Sequence, residues 1–290
     1  MKYRREIDGL RALAVLPVVL FHAGIGLFKG GYVGVDIFFV ISGYLITTIL
    51  AAEKQAGTYS ILAFYERRAR RILPALYLIM ALSVVAAWFW LLPEYMTSFA
   101  RSLIAVPLFA SNILFSLKHG YFDSGAELKP LLHTWSLAVE EQYYVLFPVL
   151  LGLIWSWPKK RIIFVFGLIA LASLVLAQWG ISTFPQQTYY LLPTRAWEIL
   201  LGALLALLNH PIKTEDQPAA LRNQALSLSG LLLIGYAVVF FDESTQVPGV
   251  AALLPTLGAL LIIQFASPAT MVGRAGRPER GLHLRRQRLQ

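Results

Sequence analysis

The sequence predicts an all-α fold: a polytopic membrane bundle of about eight or nine apolar helical segments, one of them re-entrant. Three observations point there. The 290 residues are 57% hydrophobic and only 14% charged, with a mean hydropathy of +0.62, whereas soluble domains carry about 25% charged residues. The apolar residues gather in runs near the roughly 20 residues a helix needs to cross about 30 Å of hydrocarbon. The basic residues sit in short clusters between those runs, as cytoplasmic loops do. So much apolar surface excludes a disordered chain. With no cysteine, a disulfide framework, thiol catalysis and Cys-ligated metals are excluded too. The net charge of +9 is dispersed over loops and is no nucleic-acid footprint. A single membrane domain is expected over residues 1–268, with a basic, disordered tail over 269–290.

In chain order the candidate spans are 10–28, 32–51, 73–93, 99–117, 135–156, 161–180, 190–208, 225–242 and 248–267. Lys2, Arg4 and Arg5 before the first resemble a signal-peptide n-region. No small-x-small cleavage site follows, and a second run comes almost at once, so 10–28 is expected to stay as the first span. Orientation follows the Lys/Arg bias. The N-terminus, the segment 52–72 with Arg67, Arg68, Arg70 and Arg71, and Trp157-Pro158-Lys159-Lys160-Arg161 are expected inside. Phe241-Asp242-Glu243-Ser244 is expected outside. These demands require an even number of crossings over 73–156, where three runs occur. One is therefore re-entrant or interfacial. The choice is 99–117, which holds Arg101, Pro107 and Asn112, with Asp123 and Glu127 beyond it outside. Irregular backbone at membrane depth needs protein or a water-filled cavity around it. Pro74 is expected in the first turn of its helix.

Ionisable groups inside apolar spans cost about 2.5–3.5 kcal/mol each on insertion scales, so they mark interiors and cavities. The informative ones are Arg11, His22, Asp36, His133, Glu140, Glu141, Arg195 and Glu198. Arg11 and His22 are eleven residues apart, which is three helical turns, so they share a face about 16 Å apart. A cation near the inner interface with a titratable base deeper suits an anionic ligand arriving from the cytoplasm. Equally, Arg11 could snorkel to the headgroups and His22 could be a hydrogen-bonded core histidine. The arginines at 67–71 are a positive-inside anchor or a phosphate-binding fork. Glu140 lies seven residues from His133, on one face of a helix; proton handling and helix capping both remain open. Arg195 and Glu198 are spaced as an intrahelical ion pair. Ser42 and Gly43 lack a nucleophile-elbow pattern and read as small packing residues. Gly30 to Gly34 is too short for a nucleotide-binding loop, and no metal-ligand spacing occurs.

Several blocks together resemble one family. They are Asp8-Gly9-Leu10-Arg11 running to Phe21-His22; Gly30-Gly31-Tyr32-Val33-Gly34-Val35-Asp36 running to Ser42-Gly43-Tyr44; and Arg71-Ile72-Leu73-Pro74. Then come His133-Thr134-Trp135-Ser136 running to Glu140-Glu141-Gln142-Tyr143-Tyr144, and Thr194-Arg195-Ala196-Trp197-Glu198. In order and approximate spacing over about residues 5–265, the chain resembles the membrane-bound acyltransferase-3 family, bacterial O-acyltransferases of surface polysaccharides and lipopolysaccharide O-antigen.

The resemblance implies roles. The family's Arg-x10-His motif falls on Arg11 and His22, and its Arg-x-x-Arg motif on Arg68 and Arg71. His22 would then be the catalytic histidine, with the three arginines on an acyl-CoA donor, acetyl-CoA for an acetyl group. Beyond what the resemblance implies, Glu140 is expected to orient His22 or carry its proton. Substrate contact is assigned to Asp36, His133, Trp135, Glu141, Arg195 and Glu198, and no metal is implied. The acceptor would be a hydroxyl of an envelope glycan, in a multi-pass protein of the bacterial inner membrane with its N-terminus cytoplasmic. The resemblance stops near Ala266-Ser267-Pro268, where family members usually continue with further apolar helices. A shortened chain, inactive or completed by a partner supplying helices, is one competing expectation. A transporter-like protein whose buried ions line a path is the other.

Overall fold

The computed structural model describes residues 4–117, 129–208 and 221–275, and among them every regular element is helical. These are α1 (Arg5–His22), α2 (Gly34–Gln55), α3 (Ile61–Trp90), α4 (Pro93–Ala105), α5 (Ser111–Ser116) and α6 (Thr134–Ile154). There follow α7 (Lys159–Thr183), α8 (Pro185–Tyr190), α9 (Leu192–Leu208), α10 (Leu221–Phe240), α11 (Leu253–Phe265) and α12 (Met271–Ala275). Six stretches are long and apolar enough to cross a membrane: Gly31–Gln55, Ile61–Trp90, Thr134–Ile154, Lys159–Thr183, Pro185–Leu208 and Leu221–Phe240. Val250–Phe265 is a shorter apolar helix. The architecture is the all-α multi-pass one that the composition predicts.

The boundaries depart from expectation in three places, each for a local reason. The first run, expected over 10–28, is helical over Arg5–His22. It stops in a Schellman motif: Gly24 adopts φ 72, its N–H donates to the Phe21 carbonyl, and the Ile25 N–H donates to that of Leu20. Second, the arginine cluster is no loop before a helix beginning at Pro74. It lies inside α3, which starts thirteen residues earlier. The Ser60 hydroxyl caps that helix by accepting from the Ala63 N–H at 3.3 Å. The Leu, Ala, Glu and Arg residues that follow are good helix formers. Pro74 therefore sits in the helix interior, where it withholds an N–H from the Arg70 carbonyl.

Third, the segment 99–117 is broken, as its Pro and polar residues suggest. α4 ends at Ala105, Phe109 takes φ 50, and α5 resumes at Ser111. The exposed backbone finds side-chain partners, as apolar surroundings require. Gln142 Nε2 donates to the Phe109 carbonyl at 2.9 Å. Gln142 and Asn112 also exchange amide hydrogen bonds, at 2.8 Å and 3.2 Å. Asn112 Nδ2 reaches the Tyr190 carbonyl at 3.2 Å. Asp123 and Glu127 lie outside the described residues.

The chain divides into two compact units, one of residues 1–41, 209–245 and 252–290, the other of 42–208 and 246–251. In the first, α10 packs along α11, and α1 packs on α11 and α12. Arg4 ties the start of the chain to this unit by donating to the Ile263 carbonyl at 2.7 Å. The helical chain runs on past residue 268, because the Met271 N–H donates to Gln224 Oε1 at 3.0 Å and opens α12. Residues 276–290, the greater part of the expected basic tail, lie outside the described residues. In the second unit α7 packs along α9. The Ser173 hydroxyl bridges the first turn of α9, donating to the Pro193 carbonyl at 2.6 Å and accepting from the Trp197 N–H at 3.1 Å.

Candidate active site

In the first unit α1 carries both Arg11 and His22. Arg11 is half-buried and donates to Asp8 Oδ1 at 3.2 Å, one turn back. His22 is the last residue of the helix and is exposed. Its Nδ1 stands 2.8 Å from the Val18 carbonyl oxygen. A carbonyl can only accept, so Nδ1 carries the hydrogen, and in the neutral ring Nε2 carries the lone pair. The Phe21 and His22 rings meet edge-on with centroids 5.1 Å apart.

The glycine-rich turn after α1 has a packing purpose that the sequence reading did not see. A Cβ on Gly31 would strike the Pro17 carbonyl, and one on Gly34 the Ala14 carbonyl. Only glycine lets the start of α2 lie this close against α1. The same turn is pinned elsewhere in its unit. The Gly30 N–H donates to the Val238 carbonyl at 3.0 Å, and the Tyr32 hydroxyl to the Asp242 carbonyl at 2.8 Å. Asp36 follows, buried in the first turn of α2, where the helix dipole favours a carboxylate.

In the second unit the centre is Glu140 on α6. It lies in the second turn and its neighbour Glu141 just beyond, and the first turn holds no acidic residue. Capping, which fades beyond the first turn, does not account for them. Glu140 Oε1 accepts from the Ser42 hydroxyl of α2 and from the Tyr144 hydroxyl, the latter at 3.2 Å. Ser42 is thus more than a small packing residue, while its neighbour Gly43 is one: a Cβ there would collide with the Ile199 carbonyl of α9. Close contact of α2 with α9 sets where Ser42 points.

The arginine cluster sorts itself on α3. Arg67 pairs with Glu53 at 2.5 Å and Arg70 with Glu66 at 2.6 Å. Arg68 instead lies over aromatic rings, its guanidinium carbon 4.7 Å from the Tyr144 centroid and 5.7 Å from that of Phe64. Arg71 is exposed and, three residues on, shares the Arg68 face. Glu141 is buried, and its Oε1 finds no hydrogen-bond partner among the described residues.

The remaining candidates separate into a frame and a surface. Arg195 and Glu198 form an ion pair at 3.0 Å with side chains 1% and 0% exposed. Arg195 also donates from Nε to the Tyr189 carbonyl at 2.9 Å and lies over the Tyr189 and Trp135 rings. Trp135 is buried in turn against Tyr189 and Tyr190. His133 is exposed, just before the first residue of α6. The structure therefore brings together Ser42, Glu140, Tyr144 and Arg68, and separately Trp135, Arg195 and Glu198. Sequence reasoning passed over Tyr144. The signal was its i, i+4 spacing from Glu140.

Comparison with known proteins gives this arrangement its context. Residues 4–272 match the acyltransferase domain family, Acyl_transf_3. The chain is 33% identical over 284 residues to a Staphylococcus aureus protein provisionally named an O-acetyltransferase, covering 94% of this chain and 47% of that one. It is 33% identical over 285 residues to peptidoglycan O-acetyltransferase OatA of Listeria monocytogenes, covering 94% and 46%. An uncharacterized protein of Haemophilus influenzae is 35% identical over 241 residues, covering 80% of this chain and 98% of that one. The chain spans about half the length of the first two relatives. No solved structure matches. With nearly the whole described chain inside the family match, and with the motif residues set on an all-α multi-pass frame, the chain belongs to the acyltransferase-3 family of membrane proteins.

Proposed function

We propose that the chain is an integral-membrane O-acyltransferase. It moves an acyl group, acetyl in the first instance, from cytoplasmic acyl-CoA to a hydroxyl of a cell-envelope glycan. One observation carries the reading: the His22 ring is held by its Nδ1–H on the Val18 carbonyl, which presents Nε2 as the basic nitrogen. Nε2 takes the proton of the acceptor hydroxyl as its oxygen attacks the thioester carbonyl. The carbon–sulfur bond breaks, the thiolate leaves, and the imidazolium returns the proton to sulfur. Arg11, Arg68 and Arg71 contribute charge for the phosphates of the donor. Arg68 is suited to this because its guanidinium is seated over the Tyr144 ring. The basic N-terminus and the arginines of α3 support a cytoplasmic N-terminus in the inner membrane. The name of OatA supports a glycan acceptor and adds peptidoglycan to the candidates beside lipopolysaccharide O-antigen.

The test is acyl transfer in isolated membranes. Labelled acetyl-CoA is supplied, and the intact chain is compared with His22→Ala at matched expression. Label in the glycan fraction that disappears in the variant is the expected result. Label that survives His22→Ala removes the histidine from the chemistry. No label at all, with a longer relative active alongside, removes the activity from this chain.

A further inference from the structure

We infer that Tyr144 is a positioning residue that joins the donor-binding arginine to the Glu140 carboxylate through two different parts of one side chain. The inference rests on the proposed function, in which Arg68 meets the donor, and takes Glu140 in the proton-handling role expected from the sequence.

The geometry is specific. Tyr144 is 3% exposed. Its hydroxyl donates to Glu140 Oε1 at 3.2 Å, and the Ser42 hydroxyl donates to the same oxygen. One carboxylate oxygen offers about two lone-pair sites. Two hydroxyls therefore fill Oε1 and restrain the carboxylate. The face of the same phenol ring carries the Arg68 guanidinium at 4.7 Å, and Phe64 meets the ring edge-on at 6.5 Å. Stacking on a ring leaves the N–H edges of a guanidinium directed outward, where a phosphate can take two of them.

The backbone around Tyr144 is held to match. Pro148, four residues on, has no N–H to give the Tyr144 carbonyl, a weak point in α6. Two phenols brace it. The Tyr65 hydroxyl donates to the Val145 carbonyl at 2.7 Å, and the Tyr59 hydroxyl to the Pro148 carbonyl at 2.5 Å. Tyr65 belongs to the helix that bears Arg68, and Tyr59 stands just before the Ser60 cap of that helix. The arginine helix and its lead-in thus hold Tyr144 by ring contact and the α6 backbone around it by two hydroxyls.

The two functions of the side chain separate by substitution. Tyr144→Phe keeps the ring and loses the hydroxyl. Tyr144→Leu loses both. For transfer from labelled acetyl-CoA, Tyr144→Phe is expected to lower kcat by about 10- to 100-fold, the worth of a hydrogen bond to a charged group, with KM for the donor unchanged. Tyr144→Leu is expected to lower kcat likewise and also to raise KM by about 2- to 30-fold, the range of a cation–π contact. Ser42→Ala should copy Tyr144→Phe. If Tyr144→Leu does not elute as a folded, monodisperse protein, Arg68→Lys replaces it; it keeps the charge, loses the stacked plane and should raise KM alone.

The inference is overturned if Tyr144→Phe behaves as the intact chain, or if Phe and Leu change kcat and KM alike. Equilibrium binding of coenzyme A to the purified chain keeps it separate from the proposed function. Should the intact chain transfer no label, that function fails. The link to Arg68 is then judged by whether Leu weakens coenzyme A binding while Phe does not, and equal binding in the two variants overturns it.

Discussion

Val18 accepts from the ring of His22 across one helical turn, Nδ1 to carbonyl oxygen at 2.8 Å. The contact leaves the lone pair on Nε2, the base of the proposed reaction. His22→Gln places an amide near that position but supplies no base. General base catalysis contributes about 10²- to 10⁴-fold, so transfer should fall by that order while the protein stays folded. Nitrogen NMR of the intact chain at neutral pH should show the hydrogen on Nδ1. A hydrogen on Nε2 would remove the assignment.

Arg195 and Glu198 carry opposite charges in a fully buried place. Removing one leaves the other stranded, at a cost of about 3–5 kcal/mol, whereas replacing both with apolar residues of like size costs much less. Glu198→Leu should therefore depress Tm more than the double change Arg195→Met with Glu198→Leu. Equal or additive losses would mean that the pair is not coupled.

Gly43 offers a sharp steric test. Gly43→Ala drives a methyl into the Ile199 carbonyl, a backbone group that cannot swing aside. Folded yield should collapse. Gly167, in the middle of α7 with open space around its missing Cβ, is the control. Gly167→Ala should raise stability by roughly 0.5–1 kcal/mol, because alanine restricts the unfolded chain.

The break at Phe109 depends on Gln142. Gln142→Leu leaves the Phe109 carbonyl and the Asn112 amide without their partner, at about 1–3 kcal/mol for a stranded buried group. Asn112→Leu should cost a similar amount. Because the two amides bond to each other, the double variant should cost less than the sum, and a double-mutant cycle on Tm or denaturant midpoint reads the coupling directly.

Asp242, in the exposed turn after α10, is held below the usual carboxylate value by the Ser244 hydroxyl, then by the Ser244 N–H and by Thr245. A carboxyl with a lowered folded value stabilises the protein above its unfolded value of about 3.9 and loses that contribution as pH falls through the folded one. The contribution is small at an exposed site. Asp242→Asn should be less stable than the intact chain at neutral pH, and the difference should close in acid. A constant difference at all pH values would show that the turn does not titrate.

Much of this was legible in the residues, and the rest was hidden for identifiable reasons. Apolar runs announced most helices, because hydrocarbon demands continuous backbone pairing. The broken segment showed itself through Pro107 and Asn112. The extension of α3 through its arginines was masked because Pro74 and the charges both look like punctuation. Long arginine stems and good helix propensity outweighed them. Arg195 and Glu198 were legible as a pair from spacing alone. Tyr144 offered only its i, i+4 spacing from Glu140, since Arg68 and Phe64 are distant in sequence, and Gly31 and Gly34 offered nothing, since their partners are backbone carbonyls.

The latch between Asn112 and Gln142 is made wholly of neutral amides. A charge moved through the bilayer field gains or loses about 2.3 kcal/mol per 100 mV; an uncharged pair feels almost none of that. Nor does it titrate, and added salt does not screen it. When the pH changes, and when the membrane is energised, the broken segment meets the same restraint as at rest. It is a fixed fitting, indifferent to voltage and acidity, beside charged groups that respond to both.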